Sequence, residues 1–247
     1  MKVCDSHVHV GEFYDRVNRS VQHYTPRELV SQMAAAGVDL AIVSHIGAIA
    51  EPIEANREMT RIAAEYPQLA PLVWVSPDVM SPDDVLDLLD LGFKGLKFHP
   101  TAGQYRADSP ALNPYLDLCL NTRTAALFHS ASDEYSAPAF FDAVALAHPC
   151  VPIVLAHMNL MGPAGEAIEA AEAHPNLYLD TSWAAPEDIL EAISRLGAGR
   201  VLWGTDAPLG GASHYAQDRG RPIIEQRLTQ AEREAVLWGN AERLFRL

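Results

Sequence analysis

An α/β chain closed into a single (β/α)8 barrel over residues 1–247 is the fold class this sequence predicts, and three observations predict it. Short runs rich in Val, Ile, Leu and Phe alternate with longer helical patterns down to the C-terminus. The strand runs are nearly continuous in apolar residues, as a parallel sheet covered by helices requires. Several of them close on a histidine or an aspartate: Asp5-Ser6-His7-Val8-His9, Phe128-His129, Ala156-His157 and Thr205-Asp206. In a barrel the carboxyl ends of the first, fifth, sixth and eighth strands face one mouth, so four separate signals become one site.

Taken in order, strands are expected to begin near Val3, Leu40, Pro71, Phe93, Ala125, Val151, Leu177 and Val201. Val3 to Val10 reads as a strand with His7 and His9 on one face, because strand side chains alternate. Helices are expected over Pro26–Ala36, Ile53–Tyr66, Pro82–Leu91, Pro110–Asn121, Ala137–Ala147, Pro163–Ala173 and Pro186–Leu196. Thr25-Pro26, Ser81-Pro82 and Ser109-Pro110 each supply an N-cap hydroxyl followed by a first-turn proline that lacks only a hydrogen bond it would not have made. Gly37, Gly92 and Gly197 fall just past helical runs, where a left-handed residue is wanted. The segments Gly11–Tyr24, Thr101–Ser109 and Leu209–Arg221 read as long loops at the mouth.

Composition narrows the partners. A chain of 247 residues with 49% hydrophobic and 20% charged residues can build one sizeable core. Its net charge of −14, with no stripe of Lys and Arg, argues against nucleic acid or an anionic membrane and for a small-molecule substrate. No run is long enough to span a bilayer, and Asp5 interrupts any signal-peptide core, so a cytoplasmic location is the expectation. Cys4, Cys119 and Cys150 are too few and scattered for a disulfide framework. Apolar outer helices such as Ala111–Leu120 and Ala139–Leu146 leave room for a homodimer, though helices that merely cover a sheet look the same.

A doubly wound open sheet is the rival fold; no Gly-x-Gly-x-x-Gly follows the first strand and no phosphate loop appears. The motifs Asp5-Ser6-His7-Val8-His9, Gly95-Leu96-Lys97-Phe98-His99-Pro100, Phe128-His129, Ala156-His157, Gly204-Thr205-Asp206-Ala207-Pro208 and Gly239-Asn240-Ala241-Glu242-Arg243-Leu244-Phe245 cover the chain end to end. In these the chain resembles the amidohydrolase superfamily, and within it the amidohydrolase-related branch of metal-dependent hydrolases and decarboxylases. The resemblance implies that His7, His9, His129 and Asp206 hold a divalent metal, with His157 beside it as an acid or base. Imidazoles and a carboxylate suit zinc, with manganese as the second choice, and an activated water would then be the nucleophile. Asp206 has a second oxygen with which to take the proton of that water, so His157 and Asp206 are the catalytic candidates.

Some relatives bridge two metals with a carboxylated lysine from the fourth strand. Here Lys97 lies a layer deeper than a bridging ligand should, so one metal is expected, with Lys97 paired to a carboxylate such as Asp5 or Asp180. His99, Trp183 and Arg106 are the substrate-contact candidates; Trp74 and Trp203 read as packing or pocket wall, and Tyr14, Arg16, Arg19, Tyr105, His214, Tyr215, Arg219 and Arg221 populate the same loops. His148 and His174 close helices away from the mouth and read as structural, while His45 is either packed or pocket-lining. Hydrolysis of an amide, ester or lactone is the first functional expectation, because the chain lacks room for the insertions that related decarboxylases often carry. Non-oxidative decarboxylation of a small aromatic or enoic acid is the alternative, and a non-catalytic metal-binding barrel the lesser one.

Overall fold

The computed structural model describes residues 1–15, 20–209 and 214–247. In chain order the strands are β1 (Cys4–Asp15), β2 (Ser20–Tyr24), β3 (Leu40–His45), β4 (Leu69–Pro71), β5 (Val73–Trp74), β6 (Gly95–Phe98), β7 (Ala125–Phe128), β8 (Ile153–Leu155), β9 (Leu177–Asp180) and β10 (Val201–Leu202). The helices are α1 (Pro26–Ala36), α2 (Pro52–Glu65), α3 (Pro82–Asp90), α4 (Pro100–Gly103), α5 (Asn113–Thr122), α6 (Phe141–Ala147), α7 (Ala164–Ala173), α8 (Pro186–Leu196), α9 (His214–Gln217), α10 (Gly220–Arg227), α11 (Gln230–Glu234) and α12 (Asn240–Phe245). Arg16 and Arg19, and the side chains of Tyr14 and His214, lie outside the described residues. No helix among the described residues is long and apolar enough to cross a membrane.

Parallel pairing runs through β1, β3 and β4, and again from β5 through β10. β4 and β5 are two pieces of one strand interrupted at Leu72, whose N–H donates to Val43 O at 2.8 Å, while Lys94 N–H donates to Pro71 O at 2.7 Å. The last strand returns to the first: Ser6 N–H donates to Trp203 O (2.9 Å), Asp206 N–H to His7 O (2.7 Å) and His9 N–H to Ala207 O (2.7 Å). The strands thereby form the ring that the alternation of strand and helix predicts, with an inner and an outer face. The two helix starts Thr25 and Ser81 are full capping boxes, and Gly37, Gly92 and Gly197 all take positive φ.

Alternation along the strands explains how one end of the ring becomes polar. Low in the barrel the inward residues are apolar: Cys4, Ile42, Leu72, Ala125, Leu127, Val154 and Leu202 form one cluster, plugged from below by Phe245 of α12. Towards the carboxyl ends the inward positions become Lys97, His129, Asp180 and Gly204, joined by Asp5 where the β1 register slips, so the apolar floor carries a polar layer. Outward residues such as Val8, Leu96, Phe98, Phe128 and Leu155 join the larger cluster beneath the helices. Cys4 and Cys119 are buried, Cys150 is exposed, and all three are free thiols.

The expected loops are corrected: Thr101–Ser109 opens on α4, and Leu209–Arg221 carries α9 and the start of α10. The stretch Gly11–Tyr24 is not a loop throughout: β1 runs on to Asp15 and turns back onto β2 as an antiparallel hairpin, with Gly11 opposite Tyr24 and Asp15 opposite Ser20. Aromatic residues on both arms, with Val21 on the second, favour the extended pairing over a solvated loop. His148 and His174 do sit away from the mouth, held by Asn113 Oδ1 (3.0 Å) and Asp142 Oδ1 (3.1 Å) respectively.

Asn240 gives the closing motif its physical reason, since its buried amide donates to Ala198 O (2.7 Å) and Val201 O (2.8 Å) and ties α12 to the start of β10. Replacing it by Ala orphans one buried and one half-buried carbonyl, and the expected loss in stability is about 1–3 kcal/mol, read from urea denaturation at pH 7. A loss below about 0.5 kcal/mol would show that water replaces the amide there.

Candidate functional site

The mouth is built from strand ends. Between Asp5 and Val8 the pairing of β1 with β3 slips by one residue, a bulge that re-aims the chain just where the histidines begin. His7 and His9 both turn inward with ring centroids 5.0 Å apart. Asp206, from the segment after β10, reaches between them: its Oδ1 lies 3.4 Å from His7 Nε2 and 3.0 Å from His9 Nε2. These three ligand atoms lie within 4.8 Å of one another and all three residues are buried. His9 Nδ1 is 3.0 Å from Ser44 Oγ, which fixes the ring from behind.

Protonation states favour lone pairs and one negative charge. Burial pushes the His9 imidazole down to about 4 and that of His157 to about 3, and it holds His99 and His129 well below the usual range. Burial alone would raise the Asp206 carboxyl, but His7, His9 and His157 around it hold it well below the usual carboxylate value. Neutral imidazoles beside an ionised carboxylate are the donor set a divalent cation accepts, so the residues present fit such a group.

The other predicted residues fall in three groups. His129 and His157 enter the same mouth, with ring centroids 5.0 Å apart, but His129 lies face to face with His99 at 3.9 Å rather than among the atoms gathered at Asp206. His99 in turn stacks on Trp74 at 5.6 Å and accepts from Ala102 N–H, so one wall of the mouth is a row of flat rings. Trp183 is 53% exposed, yet its indole N–H donates to Asp206 Oδ2 at 2.7 Å. Arg106 is not brought to the mouth: it grips Asp108 through two hydrogen bonds of 2.9 and 2.7 Å and lies over the Phe140 ring, because a neighbouring carboxylate and an aromatic face satisfy it locally.

Lys97 is 1% exposed and pairs differently from expectation: its Nζ donates to His7 Nε2 at 2.9 Å instead of to Asp5 or Asp180. Asp5 instead accepts from the Thr205 hydroxyl and, at 3.0 Å, from Thr205 N–H, and burial pushes its carboxyl up to about 8. His45 is packed against Gly11 and Gly47, with Nε2 3.5 Å from Glu58. Nothing in the sequence pattern marks Ser182, and Asp180 enters it only as an expected partner of Lys97. Asp180 closes an apolar strand just as Asp206 does, and that shared pattern is the signal that marks it.

A family model described as amidohydrolase matches residues 4–247. The chain belongs to the amidohydrolase family. Among curated proteins it is 36% identical over 73 residues to a gamma-resorcylate decarboxylase of Polaromonas sp. (strain JS666 / ATCC BAA-500), a match covering 29% of this chain and 21% of that relative. Among solved structures, the 5-carboxyvanillate decarboxylase of Sphingomonas paucimobilis is similar with a TM-score of 0.73 at 16% identity, over 100% of this chain and 99% of the other. A dihydroxybenzoic acid decarboxylase of Polaromonas sp. JS666, solved with bound manganese and 2-nitroresorcinol, gives a TM-score of 0.72 at 17% identity over 100% and 97%. At such identities the likeness to solved structures is one of fold.

The buried titratable groups set the acid and alkaline limits of this amidohydrolase without its metal. Below about 6.5 the unfolded chain protonates imidazoles that the fold keeps neutral, so acid destabilises. From the other side, Asp5 keeps its proton up to about 8 in the fold and loses it near 3.8 when unfolded, so stability also falls as the pH rises towards 8. The urea midpoint of metal-free protein is therefore expected to peak near pH 6.5; a midpoint higher at pH 5 than at pH 6.5 would contradict these assignments.

Proposed function

We propose that this amidohydrolase is a metal-dependent decarboxylase that removes carbon dioxide, without oxidation, from a hydroxylated aromatic carboxylic acid. The observation that carries the reading is the placement of the His7, His9 and Asp206 ligand atoms within 4.8 Å of one another at the foot of a mouth walled by the Trp74, His99 and His129 rings. Flat walls suit a flat substrate, and ring faces stack with a substrate ring at about 0.5–1.5 kcal/mol per good contact. The relative with local sequence identity acts, by its name, on gamma-resorcylate, which supports the same substrate class. Hydrolysis, which the chain length placed first, comes second: the likeness to a decarboxylase spans 99% of that chain, so the length argument against decarboxylation loses its force.

His7, His9 and Asp206 would hold the cation, with His129 the remaining imidazole of the expected set. A manganese-bearing structural neighbour puts manganese beside zinc as a candidate. When bound, the cation supplies positive charge that orients the substrate carboxylate and an adjacent hydroxyl and steadies the charge that develops there. The bond from ring carbon to carboxylate breaks, carbon dioxide leaves, and the electron pair stays on the ring carbon, which takes a proton. His157 Nε2 would pass that proton: Nδ1 is tied to Ser182 Oγ at 2.8 Å, and an anionic substrate alongside favours the protonated ring that burial disfavours. Trp183, with its N–H on Asp206, covers the mouth and offers its exposed face to the ring.

Protein purified and reloaded with manganese or zinc should retain about one equivalent of metal, and a His7→Ala, Asp206→Ala double variant should retain none. With a panel of ortho-hydroxybenzoic acids in D2O, carbon dioxide release should equal deuterium incorporation at the vacated ring carbon. His157→Asn should lower kcat by about 10²–10⁴-fold with metal content unchanged. Turnover of lactones or esters by the loaded enzyme, without carbon dioxide from any aromatic acid, would replace this reading with hydrolysis.

A further inference from the structure

Beneath the mouth, on β9, Asp180 is fully buried and meets two of the histidines that the proposed reaction uses, His7 and His157. Its Oδ1 accepts from the Ser182 hydroxyl and from Ser182 N–H (3.1 Å), and its Oδ2 accepts from Ser6 Oγ at 2.8 Å. Gly204 leaves room for it, since a Cβ there would run into Asp180 Oδ2 and stand 2.9 Å from Ser6 Oγ. Ser182 Oγ lies 2.8 Å from His157 Nδ1 and 3.3 Å from His7 Nδ1, and His7 Nδ1 is also 3.6 Å from Asp180 Oδ1.

The donor count decides the direction of these bonds. A serine hydroxyl has one hydrogen to give, and Ser182 gives it to a carboxylate that can only accept. Its Oγ must therefore accept from the imidazoles, so the proton of each neutral ring sits on Nδ1. An independent contact gives the same answer for His7. Lys97 Nζ, a donor with no acceptor capacity while it is an ammonium, bonds His7 Nε2, which must then present a lone pair.

We infer that Asp180 and Ser182 are positioning residues that set both His7 and His157 in the Nδ1–H tautomer, so that one carboxylate aims two Nε2 lone pairs into the mouth. The roles of those lone pairs, His7 towards the cation and His157 towards the proton of the product, rest on the reading proposed above. A ligand imidazole backed by a carboxylate is held in one orientation and made more basic, and loss of such support typically costs about 10–100-fold in metal affinity or activity. The second grouping of potential ligands, His7, His157 and Asp180, is thereby a support and not a second cation site.

The test is histidine tautomer state by nitrogen-15 NMR on metal-free protein, paired with a manganese-binding isotherm, for wild type, Ser182→Ala, Ser182→Thr and Asp180→Asn. Wild type should show Nδ1–H for His7 and His157. Ser182→Ala should release His157 from that tautomer and lower kcat with KM little changed, while Ser182→Thr, which keeps the hydroxyl, should restore both. Asp180→Asn replaces an acceptor with a group that can donate, and should weaken manganese binding about 10–100-fold. If Asp180→Asn does not fold, the Ser182 pair carries the test alone. Nε2–H signals for His157 in wild type, or a Ser182→Ala variant with wild-type tautomers and kcat within twofold, would overturn the inference. Correct tautomers and tight manganese binding without carbon dioxide release would sink the decarboxylase reading and leave the tautomer assignment standing.

Discussion

Two carboxylates buried on either side of His7, Asp180 and Asp206, are the constraint from which the rest of the mouth follows. An ionised carboxylate removed from water is costly unless hydrogen bonds or opposite charge surround it. Asp180 is satisfied by hydroxyls and backbone N–H groups, and against its burial His7 first, then Ser182 and His157, hold its carboxyl down at about 2. Asp206 is satisfied by the His9 imidazole on Oδ1 and by the Trp183 indole on Oδ2. Lys97 is the one buried ammonium nearby, and burial pushes it down to about 8. The site thus gathers negative charge and lone pairs around one point while the apolar cluster below denies them water.

Backbone geometry is adapted to that purpose. His157, Trp183 and Asp206 all take positive φ, at 67°, 61° and 63°, a region that costs a residue with a side chain of order 1–3 kcal/mol. Each stands just past a strand end, where the chain must turn its side chain back over the mouth. Such strain at three converging positions is tolerated because backbone hydrogen bonds pin their surroundings, among them Asp206 N–H to His7 O at 2.7 Å.

Much of this was legible in the sequence because burial on both faces leaves a simple record. Near-continuous apolar runs between capped helices report a covered parallel sheet, and the ligand-type residues that close those runs report the mouth; His7, His9, His157 and Asp206 meet as their strand positions require. What was not legible depends on local accommodation. The hairpin of β1 and β2 carries a weak two-residue period, and the bulge after Asp5 leaves no mark of composition. Ser182 acquires its part only through the turn that follows β9, and Arg106 lost its expected one to Asp108 two residues away. The pairing of Lys97 with an imidazole in place of a carboxylate is likewise a matter of depth inside the ring, which spacing alone does not give.

Membership of the amidohydrolase family fixes the scaffold, and the rings around the mouth argue for the substrate class, but both lead back to whether His7, His9 and Asp206 act as one ligand set. X-ray absorption at the bound metal measures that set without reference to any substrate. The account predicts scattering from at least two imidazoles together with oxygen ligands in wild type, with one imidazole fewer in His9→Ala. A shell of oxygen atoms alone, or one unchanged in His9→Ala, would contradict it.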